Sequence, residues 1–405
     1  MKFDESSLYN IKSDLDGTRC SLFDLAIWKN GLAFKKIDFS ETGRPVIKIA
    51  ELNNGINSNT SFTQGDYGED VFIRWDDLLF SWSGNPQTSI DVFRYRLQDG
   101  WLNQHIFKVT ANEELITKDF LYYVLKFLKP HFTQIATNKQ TTGLGHVTIA
   151  DLKRMSLVVP SKEVQNQIVS ILKAIDDKIE VNTNINNNLL EQALTLYTTQ
   201  FATLERNGCV GDYSSIKSGF AFKSSWWTHK GIKVIKIGSI SQDNLNLLEC
   251  SYVDEDKIDK AKDFKVGAGD LLIAMTGATI GKFAMVPYSS EMLLVNQRVG
   301  KFFLGDNPVE KLPFIYCTLK QPEVYYEIVN RGQGSAQPNI SASDIMSIPC
   351  VIPSKERINE FNDTAQPLFD LIISNQRENQ QLSELRDSLL PKLMSGELDV
   401  SDIDL

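Results

Sequence analysis

Segments of the first half of this chain return in the second half at two fixed offsets, and this internal repeat constrains the fold more than any other feature. The letters VIKI at residues 46–49 return at 234–237, an offset of 188 residues. The letters DLL at 77–79 return at 270–272 and PSKE at 160–163 returns at 353–356, both at an offset of 193. Because the offset changes only once, by five residues, we predict one structural unit used twice, with a single loop of different length.

Each copy has two parts of different character. The first part reads as short strands bounded by Gly, Asn, Pro and Ser, with short helices between them. The predicted strands include 44–49, 70–73, 78–82 and 271–275, and the predicted helices include 120–128 and 313–319. We therefore predict an α+β fold of four segments: a mixed α/β domain at 1–160, a helix at 161–206, a second mixed α/β domain at 207–353, and a helix with an acidic tail at 354–405.

After residues 160 and 353 the apolar positions recur every three or four residues, which is typical of helices that wrap around each other. The predicted seam of the second copy is Ile358, Phe361, Ala365, Leu368, Ile372, Asn375, Asn379, Leu382, Arg386 and Leu389. The predicted seam of the first copy is Gln165, Ile168, Leu172, Ile175, Ile179, Asn182, Asn186, Leu189, Ala193 and Leu196. A long helix needs a partner to cover such a stripe, and the order domain–helix–domain–helix predicts an antiparallel coiled coil with a pseudo-two-fold axis.

Two asparagines interrupt the middle of each seam. We expect Asn182 to lie near Asn379 and Asn186 near Asn375, where they would set the register of the helices at a cost in stability. The alternative is an exposed polar stretch where the seam loosens. Pro367 stands at a position where proline breaks or kinks a helix interior, so the second helix is expected to bend there or to begin near that residue.

The composition limits the classes of function. The net charge is −9, but residues 354–405 contain 5 basic and 11 acidic side chains whereas 207–353 contain 15 of each, so the domains can still present a basic face. The five cysteines lie far apart with no Cys-x-x-Cys, which argues against a disulfide framework and a zinc site. No apolar run approaches the roughly 18 residues of a membrane span, and the first residues lack a signal-peptide core. The protein is therefore expected in the cytosol.

Motifs of an independent active site are missing. No Asn-Pro-Pro-Tyr or Asp-Pro-Pro-Tyr sequence of an adenine methyltransferase occurs, and the four histidines have no metal-ligand spacing. Residues 277–282 mimic a phosphate loop, but the segment is one residue short and Phe283 stands where Ser or Thr should hold magnesium. We therefore predict no catalytic residue, no metal and no cofactor in this chain.

Three segments carry a family resemblance. The C-terminal letters LRDSLLPKLMSGEL at 385–398 resemble the signature of type I restriction-modification specificity subunits. The letters GSAQPNIS at 334–341 and DLLI at 270–273 resemble the target recognition domain of that family. In the first copy QTTGLGH at 140–146 replaces the SAQPN run, which indicates that the two domains read different sequences.

This resemblance implies a non-catalytic DNA-binding subunit. The domains at 1–160 and 207–353 would be two target recognition domains, each reading one half of an asymmetric bipartite site in double-stranded DNA. The helices would act as a spacer and dock two modification subunits, which resemble adenine-N6 methyltransferases and bind S-adenosylmethionine. A motor-nuclease subunit can join to make the restriction enzyme.

Polar loop residues at matched positions are the candidate DNA contacts, because Gln and Asn can pair with adenine, and Arg and Lys with guanine. In the first domain the candidates are Gln104, His105, Lys139, Gln140, Thr141 and His146. In the second domain they are Thr276, Lys282, Gln297, Arg298, Arg331, Gln333, Ser335, Gln337 and Asn339. Any one of them can instead satisfy a turn or face water.

Two other classes of function stay open. A non-catalytic scaffold whose domains bind protein or another ligand is compatible with near-neutral domains, and a steep loss of binding with rising salt would separate DNA binding from it. An enzyme with an unrecognised site is the third class. The purified chain would then transfer methyl groups from S-adenosylmethionine to DNA, and we expect no such transfer.

Overall fold

The computed structural model describes residues 5–57, 59–140, 143–332 and 338–400. The chain divides into two compact units: unit 1 comprises Met1–Asp176 and Leu385–Leu405, and unit 2 comprises Asp177–Glu384. Both boundaries fall inside long helices. The division into four segments stays a prediction, whereas the mixed α/β character of both domains is confirmed.

The described part of unit 1 combines short strands with short helices. Its strands are β1 (Gly17–Ser21), β2 (Ala26–Asn30), β3 (Arg44–Ile47), β4 (Phe62–Thr63), β5 (Phe72–Ile73), β6 (Leu78–Ser81), β7 (Ser83–Gly84), β8 (Asp91–Arg94), β9 (Gly100–Leu102), β10 (Ile106–Ala111), β11 (Gly145–His146) and β12 (Ser156–Pro160). Its helices are α1 (Glu5–Tyr9), α2 (Ile49–Asn54), α3 (Lys118–Phe127), α4 (Lys129–Asn138) and α5 (Ile149–Arg154). The predicted strand at 44–49 ends at Ile47, because helix α2 begins at Ile49 and the Glu51 carboxylate accepts the Lys48 N–H at 3.0 Å.

Two four-stranded sheets form the centre of unit 1. One is antiparallel, in the order β2–β10–β6–β8, and the other is mixed, in the order β4–β3–β9–β5, with β3 parallel to β9. Strand β6 is buried on both faces: Leu78 and Phe80 belong to the larger apolar core, and Leu79 belongs to a smaller one with Ile47 and Ile73. A strand covered on both sides needs a continuous apolar run, which is what its sequence provides.

Helix α6 (Lys162–Phe201) leads from unit 1 into unit 2, and the described part of unit 2 again combines short strands with short helices. Its strands are β13 (Gly208–Cys209), β14 (Ile216–Ser218), β15 (Trp227–Thr228), β16 (Ile232–Ile235), β17 (Ile240–Ser241), β18 (Asn244–Leu245), β19 (Ser251–Val253), β20 (Lys265–Val266), β21 (Leu271–Ala274), β22 (Phe283–Met285), β23 (Leu293–Val295), β24 (Val299–Phe302) and β25 (Pro349–Cys350). Its helices are α7 (Val210–Tyr213), α8 (Leu312–Lys320), α9 (Pro322–Gly332) and α10 (Ala342–Met346), and α11 (Lys355–Ser395) returns to unit 1.

The central strands of unit 2 follow the same order as those of unit 1, and the mixed sheet of unit 2 has one more strand, β15, at its edge. The antiparallel sheet has the order β14–β24–β21–β22, and the mixed sheet has the order β15–β19–β16–β23–β20, with β16 parallel to β23. Strand β21 again separates two cores, with Leu271 and Ile273 in one and Leu272 in the other. The sequence repeat is therefore a repeat of strand order and core position.

A matched pair of glycines shows how closely the two copies agree. The Gly31 N–H donates to the carbonyl of Ile106 at 3.0 Å, and the Gly219 N–H donates to the carbonyl of Val299 at 3.0 Å. A Cβ atom on Gly31 or on Gly219 would lie 2.2 Å from a backbone oxygen of the neighbouring strand. Since only glycine lets the two backbone segments come this close, both copies have a glycine at this position.

Each unit contains a piece of both long helices, and each helix is roughly 60 Å long at about 1.5 Å per residue. In unit 1 the buried positions include Ile168, Leu172 and Leu393. In unit 2 they include Phe361 and Phe369, together with others of the predicted seam. Most predicted seam positions up to Asn186 in α6 and up to Asn375 in α11 are buried, but Tyr197 and Phe369 are buried more deeply than the predicted Leu196 and Leu368 beside them.

The predicted asparagine pairs lie in unit 2. The Asn182 amide donates to Asn379 at 2.9 Å, and the Asn375 amide donates to Asn186 at 2.8 Å, as expected from the sequence. The pairing therefore runs in opposite directions along the two helical segments. Asn182 also donates to the Glu378 carboxylate at 2.7 Å. That these residues set the register stays a prediction.

The expectation that α11 would begin near Pro367 is wrong. The helix begins at Lys355, and Pro367 lies on its exposed side. Phe361, Ala365 and Phe369 of the same stretch are fully buried. Burial of this apolar face offsets the roughly 3 kcal/mol that a proline costs inside a helix.

Candidate nucleic-acid interface

In unit 1 two parallel strands end at the same edge of a sheet. Ile47 of β3 lies opposite Leu102 of β9, and the backbone N–H of Asn103 donates to the carbonyl of Ile47 at 3.0 Å. The chain then turns through Gln104 and His105 into β10. Loops at the carboxyl ends of parallel strands are a common position for ligand-binding residues.

Trp82 joins this turn to a second loop. Its backbone N–H donates to the carbonyl of His105 at 3.2 Å, and its ring lies 5.5 Å from the His105 ring and 6.0 Å from the His146 ring, between centroids. His146 pairs with Ser83 across β7 and β11, and the Ser83 hydroxyl lies 2.8 Å from His146 Nδ1. The indole N–H donates to Asn30 at 2.9 Å. We call Trp82, Ser83, Gln104, His105 and His146 the unit 1 corner.

Unit 2 builds the same arrangement with other side chains. The Met275 N–H donates to the carbonyl of Arg298 at 3.0 Å, and Thr276 pairs with Asn339 in an antiparallel bridge. The turn that precedes Arg298 contains Gln297, and its first N–H, from Asn296, donates to the carbonyl of Ile235 at 3.0 Å. We call Met275, Thr276, Gln297, Arg298 and Asn339 the unit 2 corner.

The two corners correspond residue by residue at an offset of 193. Trp82 corresponds to Met275, and His105 corresponds to Arg298. The same backbone hydrogen bond joins Trp82 to His105 in unit 1 and Met275 to Arg298 in unit 2. The N–H of Val147 donates to the Trp82 carbonyl at 2.8 Å, and the N–H of Ile340 donates to the Met275 carbonyl at 2.9 Å. The backbone is thus conserved between the copies while the side chains that it presents differ.

The structure places seven of the fifteen predicted contacts in these corners. His105, Gln297, Arg298 and Asn339 are exposed, and Gln104, His146 and Thr276 are half-buried. Thr276 Oγ1 is buried and has no hydrogen-bond partner within the described ranges of the chain. Lys282 is half-buried and lies on the tight turn that begins after Thr276 and enters β22. Whether these residues touch DNA stays a prediction.

Lys139 and Arg331 lie outside both corners as defined, and each has a structural partner. The Lys139 ammonium lies 2.5 Å from the carboxylate of Asp151, whose side chain is only 1% exposed. Burial raises the pKa of Asp151, but the hydrogen bonds from Lys139 and from the Thr148 side chain and backbone outweigh it, so the net pKa lies below its usual value. Arg331 pairs with Glu327 at 2.8 Å and also donates to the Ser347 hydroxyl at 2.7 Å. Whether either cation also contacts DNA stays a prediction.

The other candidates lie outside both corners or outside the described residues. Gln140 is exposed just after the end of helix α4. Thr141, Gln333, Ser335 and Gln337 lie outside the described residues.

The sequence-based reasoning missed Trp82 and Ser83 as members of the corner. Their signal was present in the repeat, because Ser83 corresponds to the predicted Thr276 at the offset of 193. A tryptophan is by its residue type more often a core side chain than a base contact, so Trp82 gives no such signal in the sequence. It is half-buried, stacks on Phe107 at 5.6 Å and contacts both histidines, so it supports the corner as well as the core.

A cleft of about 720 Å³ in unit 1 lies apart from the corner. It is lined by helix residues that include Tyr122, Lys126 and Arg386. Its charges are already paired: Arg386 lies 2.9 Å from Asp176, whose other oxygen accepts the Tyr123 hydroxyl at 2.8 Å. We therefore place the candidate interface at the corner, where polar side chains are presented on loops rather than enclosed.

Among the described residues, no group of three or more His, Cys, Asp or Glu side chains is placed to hold a metal ion. In the described ranges, no helix has both the length and the apolar character to cross a membrane.

The family model of the type I restriction modification DNA specificity domain matches this chain twice, over residues 19–191 and 206–384. The chain belongs to this family. The family predicted from the C-terminal signature is therefore confirmed, and so is its role as the non-catalytic DNA-specificity component of a type I system.

Curated relatives carry the same description. The type I restriction enzyme MjaVIII specificity subunit of Methanocaldococcus jannaschii is 22% identical over 381 residues, which cover 89% of this chain and 87% of that protein. The HindI specificity subunit of Haemophilus influenzae is 23% identical over 390 residues, covering 75% and 84% respectively. Among solved structures, the type I S subunit from M. genitalium aligns with a TM-score of 0.47 and 17% identity, over 95% of this chain and 97% of that one.

Proposed function

We propose that each unit of this specificity subunit reads one half of an asymmetric two-part DNA site through its corner. The observation that carries the proposal is the match between the corners: the same backbone hydrogen bonds present His105 in unit 1 and Arg298 in unit 2. A shared backbone with different polar side chains is what two readers of different sequences require, since hydrogen bonds to base edges supply discrimination.

The chemistry of the two corners favours different bases. In unit 2, Arg298 suits a bidentate contact to guanine, while Gln297 and Asn339 suit adenine. In unit 1 the Ser83 hydroxyl occupies Nδ1 of His146, so Nε2 is the ring nitrogen that we expect to contact a base. Each good bidentate contact contributes about 1–3 kcal/mol of discrimination against the wrong base.

The long helices are proposed to hold the two readers at a fixed separation as an antiparallel coiled coil. The asparagine contacts of unit 2 run in opposite directions along α6 and α11, which supports this arrangement. Readers about one helical turn of DNA apart meet the same face of the duplex, so the untouched spacer between the half-sites would have a fixed length.

The partners are proposed from the family. Two modification subunits, adenine-N6 methyltransferases that bind S-adenosylmethionine, would dock on the helices and methylate the site, and a motor-nuclease subunit would join for cleavage. This chain would bring DNA and methyltransferase together without a reaction of its own.

The decisive experiment maps methylated adenines in the genome of cells that express this chain with its modification subunits. Arg298→Ala should relax one half-site and leave the other unchanged, and His105→Ala combined with His146→Ala should do the reverse. Lys262→Ala is the matched control, because Lys262 is exposed and pairs only with Asp259 at 2.5 Å in the described structure. If no variant changes the methylated motif, or if methylation does not depend on this chain, the proposal fails.

The spacer role has a separate test. Deleting or adding one heptad in both α6 and α11 should change the length of the spacer between the half-sites and leave the half-site sequences alone. An unchanged spacer in a folded, active complex would contradict the role of the helices. A pure scaffold would lose methylation at every site in these variants, with no new motif.

A further inference from the structure

Two lysines that the candidate interface does not include occupy matched positions beside the corners. Lys48 and Lys236 are the repeated lysines of the two VIKI segments. Each follows the last residue of a parallel strand, Ile47 in β3 and Ile235 in β16, and the carbonyl of that residue accepts the first N–H of the corner turn. Each lysine is therefore one residue away from the turn that carries the reading side chains of its unit.

An aromatic ring lies under each of these ammonium groups. Lys48 Nζ lies 5.3 Å from the centre of the Phe39 ring and donates to the Ser61 hydroxyl at 3.1 Å. Lys236 Nζ lies 3.4 Å from the centre of the Trp227 ring. Phe39 and Trp227 also correspond, at the offset of 188, so both copies retain the lysine together with its ring. A cation over a ring face is held in one direction without losing its charge.

Neither ammonium is neutralised. In the part of the chain that the structure describes, no carboxylate lies within 4.0 Å of either ammonium. Another matched lysine pair behaves differently: Lys108 lies 3.3 Å from Asp77, and Lys301 lies 2.6 Å from Asp270. The half-buried ammonium groups of Lys48 and Lys236 therefore keep their positive charge for a ligand, because their partner is a ring. A carboxylate partner, as at Lys108 and Lys301, would neutralise the charge.

We propose that Lys48 and Lys236 are matched phosphate anchors, each contacting the DNA backbone next to the corner of its unit. The contact supplies affinity and orientation, and it carries no sequence information. Burial lowers the pKa of Lys236, and an adjacent phosphate opposes that shift because an opposite charge favours the protonated form. This inference rests on the proposed function, since it assumes that the corners face DNA.

The size of the effect follows from counterion release. One phosphate contact contributes a slope of about −0.9 to the dependence of log K on log salt for duplex DNA. The same relation makes one contact worth a factor of about 8 in affinity at 0.1 M salt and about 3 at 0.3 M. Loss of both contacts should therefore reduce the slope by about 1.8 and the affinity at 0.1 M by roughly 60-fold.

The test uses the complex of this chain with its modification subunits and measures DNA binding by fluorescence anisotropy between 0.1 and 0.4 M salt, on the mapped site and on a scrambled duplex. The variants are Lys48→Met, Lys236→Met and the double variant, which retain the aliphatic stem and remove the charge. Lys48→Arg and Lys236→Arg should keep the wild-type slope. Lys178→Met is the control, because Lys178 lies on α6 and pairs with Glu378 at 3.4 Å.

The expected result is a reduced slope on both duplexes, with an unchanged ratio of specific to scrambled binding and an unchanged melting temperature. An unchanged slope in a complex that still discriminates the two duplexes would overturn the anchors and leave the proposed function intact. A change in the methylated motif would also overturn them, since it would make the lysines base readers. If the wild-type complex binds both duplexes equally, the proposed function fails instead.

Discussion

The buried asparagine pair of unit 2 gives the sharpest test of how the helices are specified. Asn186 and Asn375 are 8% and 9% exposed, and their amides share a hydrogen bond of 2.8 Å. Substituting Leu for Asn375 alone leaves the Asn186 amide buried without its partner, which costs about 1–3 kcal/mol. A fully packed leucine would stabilise the fold by about 1.5–3 kcal/mol, but the neighbouring Asn186 amide prevents full packing. We expect the free energy of unfolding to fall by about 1 kcal/mol in either single variant.

The double variant should behave in the opposite way. Asn186→Leu with Asn375→Leu removes both polar groups and buries two apolar side chains between Leu190 and Ile372, which already belong to the apolar core of unit 2. We expect the free energy of unfolding to rise by about 2 kcal/mol. Since each single variant lowers it by about 1 kcal/mol, the coupling energy between the two sites would be about 4 kcal/mol. If the pair exists for register rather than for stability, the same variant should also broaden the spacer lengths that are methylated.

Hydrogen exchange measured by mass spectrometry on residues 177–201 and 355–384 reports the opening free energy of these segments separately from unit 1. Asn188→Leu is the matched control, because Asn188 is exposed on the same helix and its substitution should change stability by less than about 0.5 kcal/mol. A double variant that is less stable than both single variants would refute the reasoning, since it would show that the polar contact itself holds the helices together.

Three other substitutions in unit 1 have defined outcomes. Lys139→Met should lower the free energy of unfolding by about 3 kcal/mol, and with it the melting temperature, because it leaves the buried Asp151 carboxylate without its cation. The methylated motif should not change, and a changed motif would support Lys139 as a base contact. Burial lowers the pKa of His131 to about 4, below the roughly 6.5 of an unfolded chain, so stability should be complete above pH 6.5 and fall toward pH 4 by up to about 3 kcal/mol. His131→Val should flatten this dependence in melting curves recorded against pH, and an equally steep curve would contradict the assignment. Trp82→Leu removes the ring that His146 contacts, so methylation assays should show weaker discrimination at one half-site only; equal losses at both would contradict a local role.

The repeat made a large part of the fold predictable. Offsets of 188 and 193 locate β16 from β3 and β21 from β6, because a strand with the same apolar pattern fills the same place in a core. The asparagine neighbours followed from the seam, since a period of 3.5 residues places every third or fourth side chain on one face. Both predictions use spacing along one element, which the sequence states directly.

The candidate site was only partly predictable, because some ion pairs and ring contacts join residues that the sequence separates. Arg331 and Lys139 have the residue types of DNA contacts, yet Glu327 and the buried Asp151 neutralise them in the structure. The corner likewise depends on Trp82 reaching two loops that the sequence separates widely. The spacing of Glu327 and Arg331 on one helix could have been read from the sequence, whereas the contact of Lys139 with Asp151 required the fold.

The sequence by itself determined the family, the duplicated α+β architecture and the helical seam, because each of these is written as a periodicity or a motif within a short stretch. The tertiary structure alone decided which polar side chains are presented together and which are neutralised. The physical reason is that hydrogen bonds and ion pairs act over a few ångströms in space, and only the folded chain brings His146 to Ser83 or leaves Lys236 over a ring without a carboxylate.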